Sequence, residues 1–174
     1  RVKLAVVFQR AQTSVAWQKQ CVQDVFNMQQ EAIQELQDPI NEFANTTFYK
    51  AFMQHVYPLL KVLTRSPAIE RCIKFVYASV LLWDSKNEKI TSDGEESLPV
   101  PFASTFLSNL LNLSRSKAPA VRFRVCQLVS FIINGMQEDA DIDDLWDPIV
   151  ETMLSRTKDS NVSCRVFAIT SLKR

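Results

Sequence analysis

The sequence predicts an all-α fold, a helical solenoid that is a fragment of a longer array, and three observations predict it. Only two glycines, Gly94 and Gly135, occur in 174 residues, too few for the positive-φ turns that a sheet needs. Apolar residues recur with the 3.6-residue period of an amphipathic helix almost throughout. Related segments return at spacings of about 52 and about 43 residues, as stacked helical pairs do.

Taken in order, Asp38-Pro39 marks a first helix start, because proline is tolerated where first-turn N–H groups lack intrahelical partners. Phe48, Phe52, Val56, Leu59, Leu60 and Leu63 form one stripe, with a kink or break expected at Pro58. Ser66-Pro67 opens the next helix, whose stripe is Ile69, Cys72, Ile73, Val76 and Val80. Residues 84–101, "DSKNEKITSDGEESLPVP", carry five acids and two lysines and no apolar stripe. They read as an exposed, flexible connector, the alternative being a regulatory site at Thr91, Ser92 or Ser97. Phe102, Phe106, Leu107, Leu110 and Leu111 follow. Pro119 then opens a helix striped by Val121, Val125, Leu128, Val129, Ile132, Ile133 and Met136, and Asp147-Pro148 marks another start. The theme "SPAIERCIKFV" (66–76) returns in "APAVRFRVCQLV" (118–129) and "KDSNVSCRVFAITSL" (158–172). The organisation is one continuous solenoid, with helices over 1–83, an acidic loop over 84–100 and further repeats over 101–174. A start at Arg1 without methionine and an end at Lys173-Arg174 inside a helical pattern fit a segment of a longer chain.

Several function classes find no support. Cys21, Cys72, Cys126 and Cys164 stand far apart amid apolar neighbours and read as reduced core thiols of an intracellular protein. Without clustered Cys or His there is no zinc motif, and the acids from Glu138 to Glu151 lack the glycine and spacing of a calcium loop. The single histidine, His55, has no nucleophile at a motif spacing, and no phosphate-cradling glycine motif exists. An enzyme, a cofactor and a membrane span of ~18 apolar residues are therefore not expected. Trp17, Trp83 and Trp146 read as core or inter-repeat packing, with anchoring of a partner segment as the alternative.

On a helical wheel Arg122 lies about 50° from the centre of the 121–136 stripe and Arg124 about 110° from it. Arg122 is thus partly buried and needs an anion, either Asp159 or an acid from 138–147. Arg122, Asp159 and Arg165 form the expected structural ladder between repeats, while Arg124 sits on the flank as a solvated residue or a phosphate contact.

The run "APAVRFRVCQLVSFIINGMQEDADID", followed by "MLSRTKDSNVSCRVFAITSL", resembles the N-terminal part of the CAP-G family of HEAT-repeat condensin subunits. The earlier "FYKAFMQHVYPLLKVLTRSPAIERCIKFV" is similar in order and spacing. The sequence departs from that pattern in "DSNVSCR", where the usual proline is missing and Cys164 replaces a common valine. The resemblance implies a non-catalytic scaffold that binds the CAP-H type kleisin subunit of condensin and double-stranded DNA, and indirectly serves the SMC ATPase subunits, in the nucleus and on mitotic chromosomes.

The net charge of +1 is neutral on the matter of DNA, but its distribution is not. Lys61, Arg65, Arg71 and Lys74 face only Glu70 between 61 and 74. Arg115, Lys117, Arg122 and Arg124 face no acid between 97 and 137, and Arg156, Lys158, Arg165, Lys173 and Arg174 face only Asp159. Stacking of the repeats aligns these clusters into a basic strip, with the acids of 138–151 along the other edge. Lys61, Arg65, Arg71, Lys74, Arg115, Lys117, Arg124, Arg156 and Lys158 are the candidate phosphate contacts, without base readout. The competing reading is a protein-only HEAT scaffold or a nuclear-transport-type adaptor that grips a peptide.

Overall fold

The computed structural model describes residues 3–90, 102–136 and 142–173. The helices are α1 (Leu4–Thr13), α2 (Gln18–Gln34), the single turn α3 (Pro39–Glu42), α4 (Thr47–Leu60), α5 (Pro67–Ile90), α6 (Phe102–Leu113), α7 (Pro119–Gly135), α8 (Asp143–Arg156) and α9 (Val162–Ser171). Among the described residues there is no strand. Antiparallel neighbours α4/α5, α6/α7 and α8/α9 form successive pairs. Their second members pack side by side as α5, α7 and α9, and α6 packs on α8. α2 and α1 cover the free side of α5. This is the layered stacking of an all-α, HEAT-type solenoid.

Local chemistry sets the helix starts. Pro67 and Pro119 stand at first helical positions, and the Thr46 hydroxyl caps α4 by accepting the Tyr49 N–H at 3.0 Å. In α9 the side chain of Asn161 accepts the Cys164 N–H at 3.1 Å, so a cap replaces the absent proline. The core is continuous, and its first half is aromatic. Phe52 meets Phe102 edge-on at 5.3 Å and Phe8 meets Phe75 edge-on at 5.0 Å, which joins α4 to α6 and α1 to α5. His55 stacks on Phe8 at 5.0 Å, a packing role.

Four local expectations change. Pro58 lies inside α4 and does not break it; the helix ends two residues later, at Leu60. Leu63, beyond that end, is exposed rather than part of the stripe. Pro148 lies inside α8 instead of opening it; the helix begins at Asp143, next to buried Ile142, whose carbonyl accepts the Leu145 N–H at 2.8 Å. The helix of Ile69 runs on to Ile90, so residues 84–90 are helical and not loop. The regulatory candidates Thr91, Ser92 and Ser97, and the acids Glu138, Asp139 and Asp141, lie outside the described residues. Trp17 is exposed under the Arg10 guanidinium at 5.4 Å, and Trp146 is half-buried.

Candidate nucleic-acid interface

The turns within the last three pairs are 61–66, 114–118 and 157–161, and arginines of α7 and α9 tie all three together. Arg122 of α7 grips Asp159 through Nε at 2.6 Å and Nη2 at 3.1 Å, while its Nη1 donates to the carbonyls of Ser116 and Lys117 at 3.0 and 2.9 Å. One guanidinium thereby joins the second turn to the third. Arg165 of α9 donates to the carbonyls of Asp159 and Ser160 at 2.8 and 3.2 Å, and Arg156 adds a 3.0 Å bond to the Asp159 carboxylate. The bonds from Arg122 hold the Asp159 carboxyl at about 2, against the opposing effect of burial and with help from the Asn161 N–H. The same carboxylate raises the affinity of Arg122 for its proton.

Arg124 corrects the wheel. It is wholly buried, not on a solvated flank, and it spends its donors on the first turn: Nε on the Val62 carbonyl at 2.8 Å and Nη2 on the Thr64 carbonyl at 2.7 Å. Nη1 reaches both Glu70 Oε1 at 2.7 Å and Gln127 Oε1 at 2.6 Å, and Gln127 Nε2 closes the ring on Glu70 Oε2 at 2.8 Å. Burial pushes the Glu70 carboxyl up, but hydrogen bonds from Arg124, Gln127 and Arg65 outweigh it and leave the group below its ordinary range. The wheel failed because it assumes one buried face. α7 is packed by α5 and α9 on its sides and by α4 and α6 besides, so its flank is interior. A guanidinium that is wholly buried, with four of its five N–H donors on these acceptors, is out of reach of a phosphate.

The other candidates separate by exposure. Lys61, Arg65, Arg115, Lys117 and Lys158 are exposed on the three turns. Arg65 also pairs with Glu70 at 3.4 Å and lies over the Phe167 ring at 6.0 Å, which brings the first turn to α9. Arg156 is partly covered and engaged by Asp159, and Arg71 donates to the Gln12 carbonyl at 2.7 Å, on the α1 side. Lys74 is exposed on α5, about 10 Å along the axis from the first turn. Asp144, Asp147 and Glu151 are exposed on α8, the first two near its start, the end away from Arg156 and Lys158. The edge is cationic at its surface because the acids beneath it, Glu70 and Asp159, are consumed by buried or half-buried arginines. Glu70 and Gln127 were missed from sequence. A lone acid inside the basic run 61–74 was the available signal.

Among the described residues no group of His, Cys, Asp and Glu has metal-site geometry, and no helix is long and apolar enough to cross a membrane.

No family model matches this chain. It is 32% identical over 130 residues to "Condensin complex subunit 3" of Homo sapiens, covering 74% of this chain and 12% of that protein. It is 38% identical over 120 residues to the protein of the same name from Xenopus laevis, covering 68% of this chain and 11% of that protein. The chain therefore spans only about a ninth of the length of the relatives it matches.

Proposed function

This chain is a homologue of condensin complex subunit 3, and on that premise we propose that it forms part of a non-catalytic HEAT-repeat subunit of condensin that holds double-stranded DNA by its phosphate backbone. The kleisin subunit is its protein partner, and the nucleus and mitotic chromosomes are its place of work. The observation that carries the reading is the run of three turns knitted by Arg122, Arg124 and Arg165, with Lys61, Arg65, Arg115, Lys117 and Lys158 exposed upon it. Flexible lysines on a fixed edge suit a regular polyanion and carry no base readout.

The test replaces Lys61, Arg115, Lys117 and Lys158 by glutamate in the full-length subunit with its kleisin segment and measures duplex binding across a salt series. Affinity falls, and the log–log salt slope becomes shallower by roughly 0.9 for each phosphate that is no longer neutralised. Unchanged affinity and slope in a folded variant would overturn the reading. The protein-only alternative draws on one feature: Val162, Val166 and Ile169 expose an apolar stripe along α9. Retention of the subunit on a DNA column with and without kleisin peptide separates the two.

A further inference from the structure

Cys126 of α7 and Cys164 of α9 are both fully buried, and their sulfurs lie 3.3 Å apart across the helix interface. They are 38 residues apart in sequence, so the fold and not the chain's local path brings them together. Three contacts fix the register. The Arg122–Asp159 pair ties α7, one turn before Cys126, to the turn that leads into α9, the Asn161 cap fixes the first turn of α9 at the Cys164 amide, and the Cys164 thiol lies 3.7 Å from the Arg122 carbonyl. A disulfide needs the sulfurs at about 2.05 Å, so a displacement of little more than 1 Å, shared between two side chains, makes the bond.

We propose that Cys126 and Cys164 are an oxidisable dithiol, which a peroxide converts to a disulfide that fastens α9 to α7. The chemistry balances with hydrogen peroxide as the oxidant. One thiolate attacks the peroxide oxygen, giving a sulfenic acid and, with one proton, water; the second thiol's sulfur then displaces the sulfenic hydroxyl, which leaves as a second water with that thiol's proton. The peroxide is reduced by two electrons and the two sulfurs together lose two. The sulfurs share one hydrogen bond in which either can be the donor, so either cysteine can attack the peroxide while the other resolves the sulfenic acid. Burial sets the pace, because peroxide enters only when α9 opens from α7 locally. This inference is independent of the DNA reading.

The full-length protein is treated with hydrogen peroxide, quenched in acid, alkylated with a maleimide and digested by trypsin without reduction. Tryptic peptides 125–156 and 159–165, joined and short of two hydrogens, are the expected product; Cys126→Ala and Cys164→Ala each abolish it. In native protein this pair makes up most of the disulfide formed, whereas in urea-unfolded protein the pairing is spread over the other cysteines. Amide exchange in α9 of the oxidised protein slows by about tenfold or more. Recovery of both cysteines as maleimide adducts or separate sulfinic acids, or the same pairing pattern in native and unfolded protein, would overturn the proposal.

Discussion

Helices α7 and α2 are both 17 residues long and bury polar side chains, yet they solve the problem differently. α7 buries ten residues, Arg124 and Gln127 among them, and the Arg124–Gln127–Glu70 ring with the Val62 and Thr64 carbonyls satisfies both side chains. α2 buries three, Cys21, Val25 and Gln29, and neither amide atom of Gln29 has a hydrogen-bond partner among the described residues. Burial of a charge is thus compatible with a stable core when the acceptor set is complete, whereas one neutral amide left incomplete is a cost. The difference follows position. α7 lies between α5 and α9 with the first turn within reach of its N-terminal half, and loop carbonyls supply acceptors that a helix flank cannot.

The largest break in that comparison is Arg124→Met. It removes the donor to the Val62 and Thr64 carbonyls and leaves Glu70, among the described residues, with Gln127 and the exposed Arg65, so urea unfolding should show a loss of about 3–5 kcal/mol. Arg124→Lys should rescue little, since one ammonium cannot span acceptors arrayed around a planar fork. A loss under about 1 kcal/mol would mean that the first turn is held by something other than this ring.

Asp159 sharpens the comparison through pH. Its carboxyl titrates at about 2 in the fold, below an ordinary value near 3.9, so the unfolded chain takes up the proton first. The stabilisation is therefore complete above about pH 4 and is lost as the pH falls toward about 2; it amounts to about 2 kcal/mol. Asp159→Asn should cost that amount at pH 7 and nearly nothing extra at pH 2. A constant gap between variant and wild type across the series would refute the assignment of that window to this carboxylate.

How much of the molecule is readable from sequence depends on range. The stripe from Val121 to Met136 and the start at Pro119 are local and were legible, as was the need of Arg122 for an anion, with Asp159 named as one option. The fate of Arg124 was not, because its partners Val62, Thr64 and Glu70 lie 54 to 62 residues away and periodicity within one helix carries no record of them. Pro148 misled for a related reason: proline marks a first turn only when nothing upstream favours helix, and buried Ile142 with half-buried Leu145 extends α8 back past it. The cationic edge was half legible. Charge runs identified the three turns, but exposure decides which cations remain at the surface, and that is a property of neighbouring repeats.

The smallest expected effect has the opposite sign. Gln29→Met keeps the length and flexibility of the side chain while removing the two polar atoms that have no partner among the described residues, so a desolvation cost is relieved. Stability should rise by about 1 kcal/mol, read as a higher urea midpoint with an unchanged slope. The matching exchange in α7, Gln127→Met, removes a donor to Glu70 and an acceptor from Arg124 and should destabilise by about 1–3 kcal/mol. The two substitutions are chemically the same, so opposite signs isolate the completeness of the surrounding acceptors and donors as the cause. If both destabilise alike, Gln29 has a partner in solution, and the contrast between the two helices is one of packing alone.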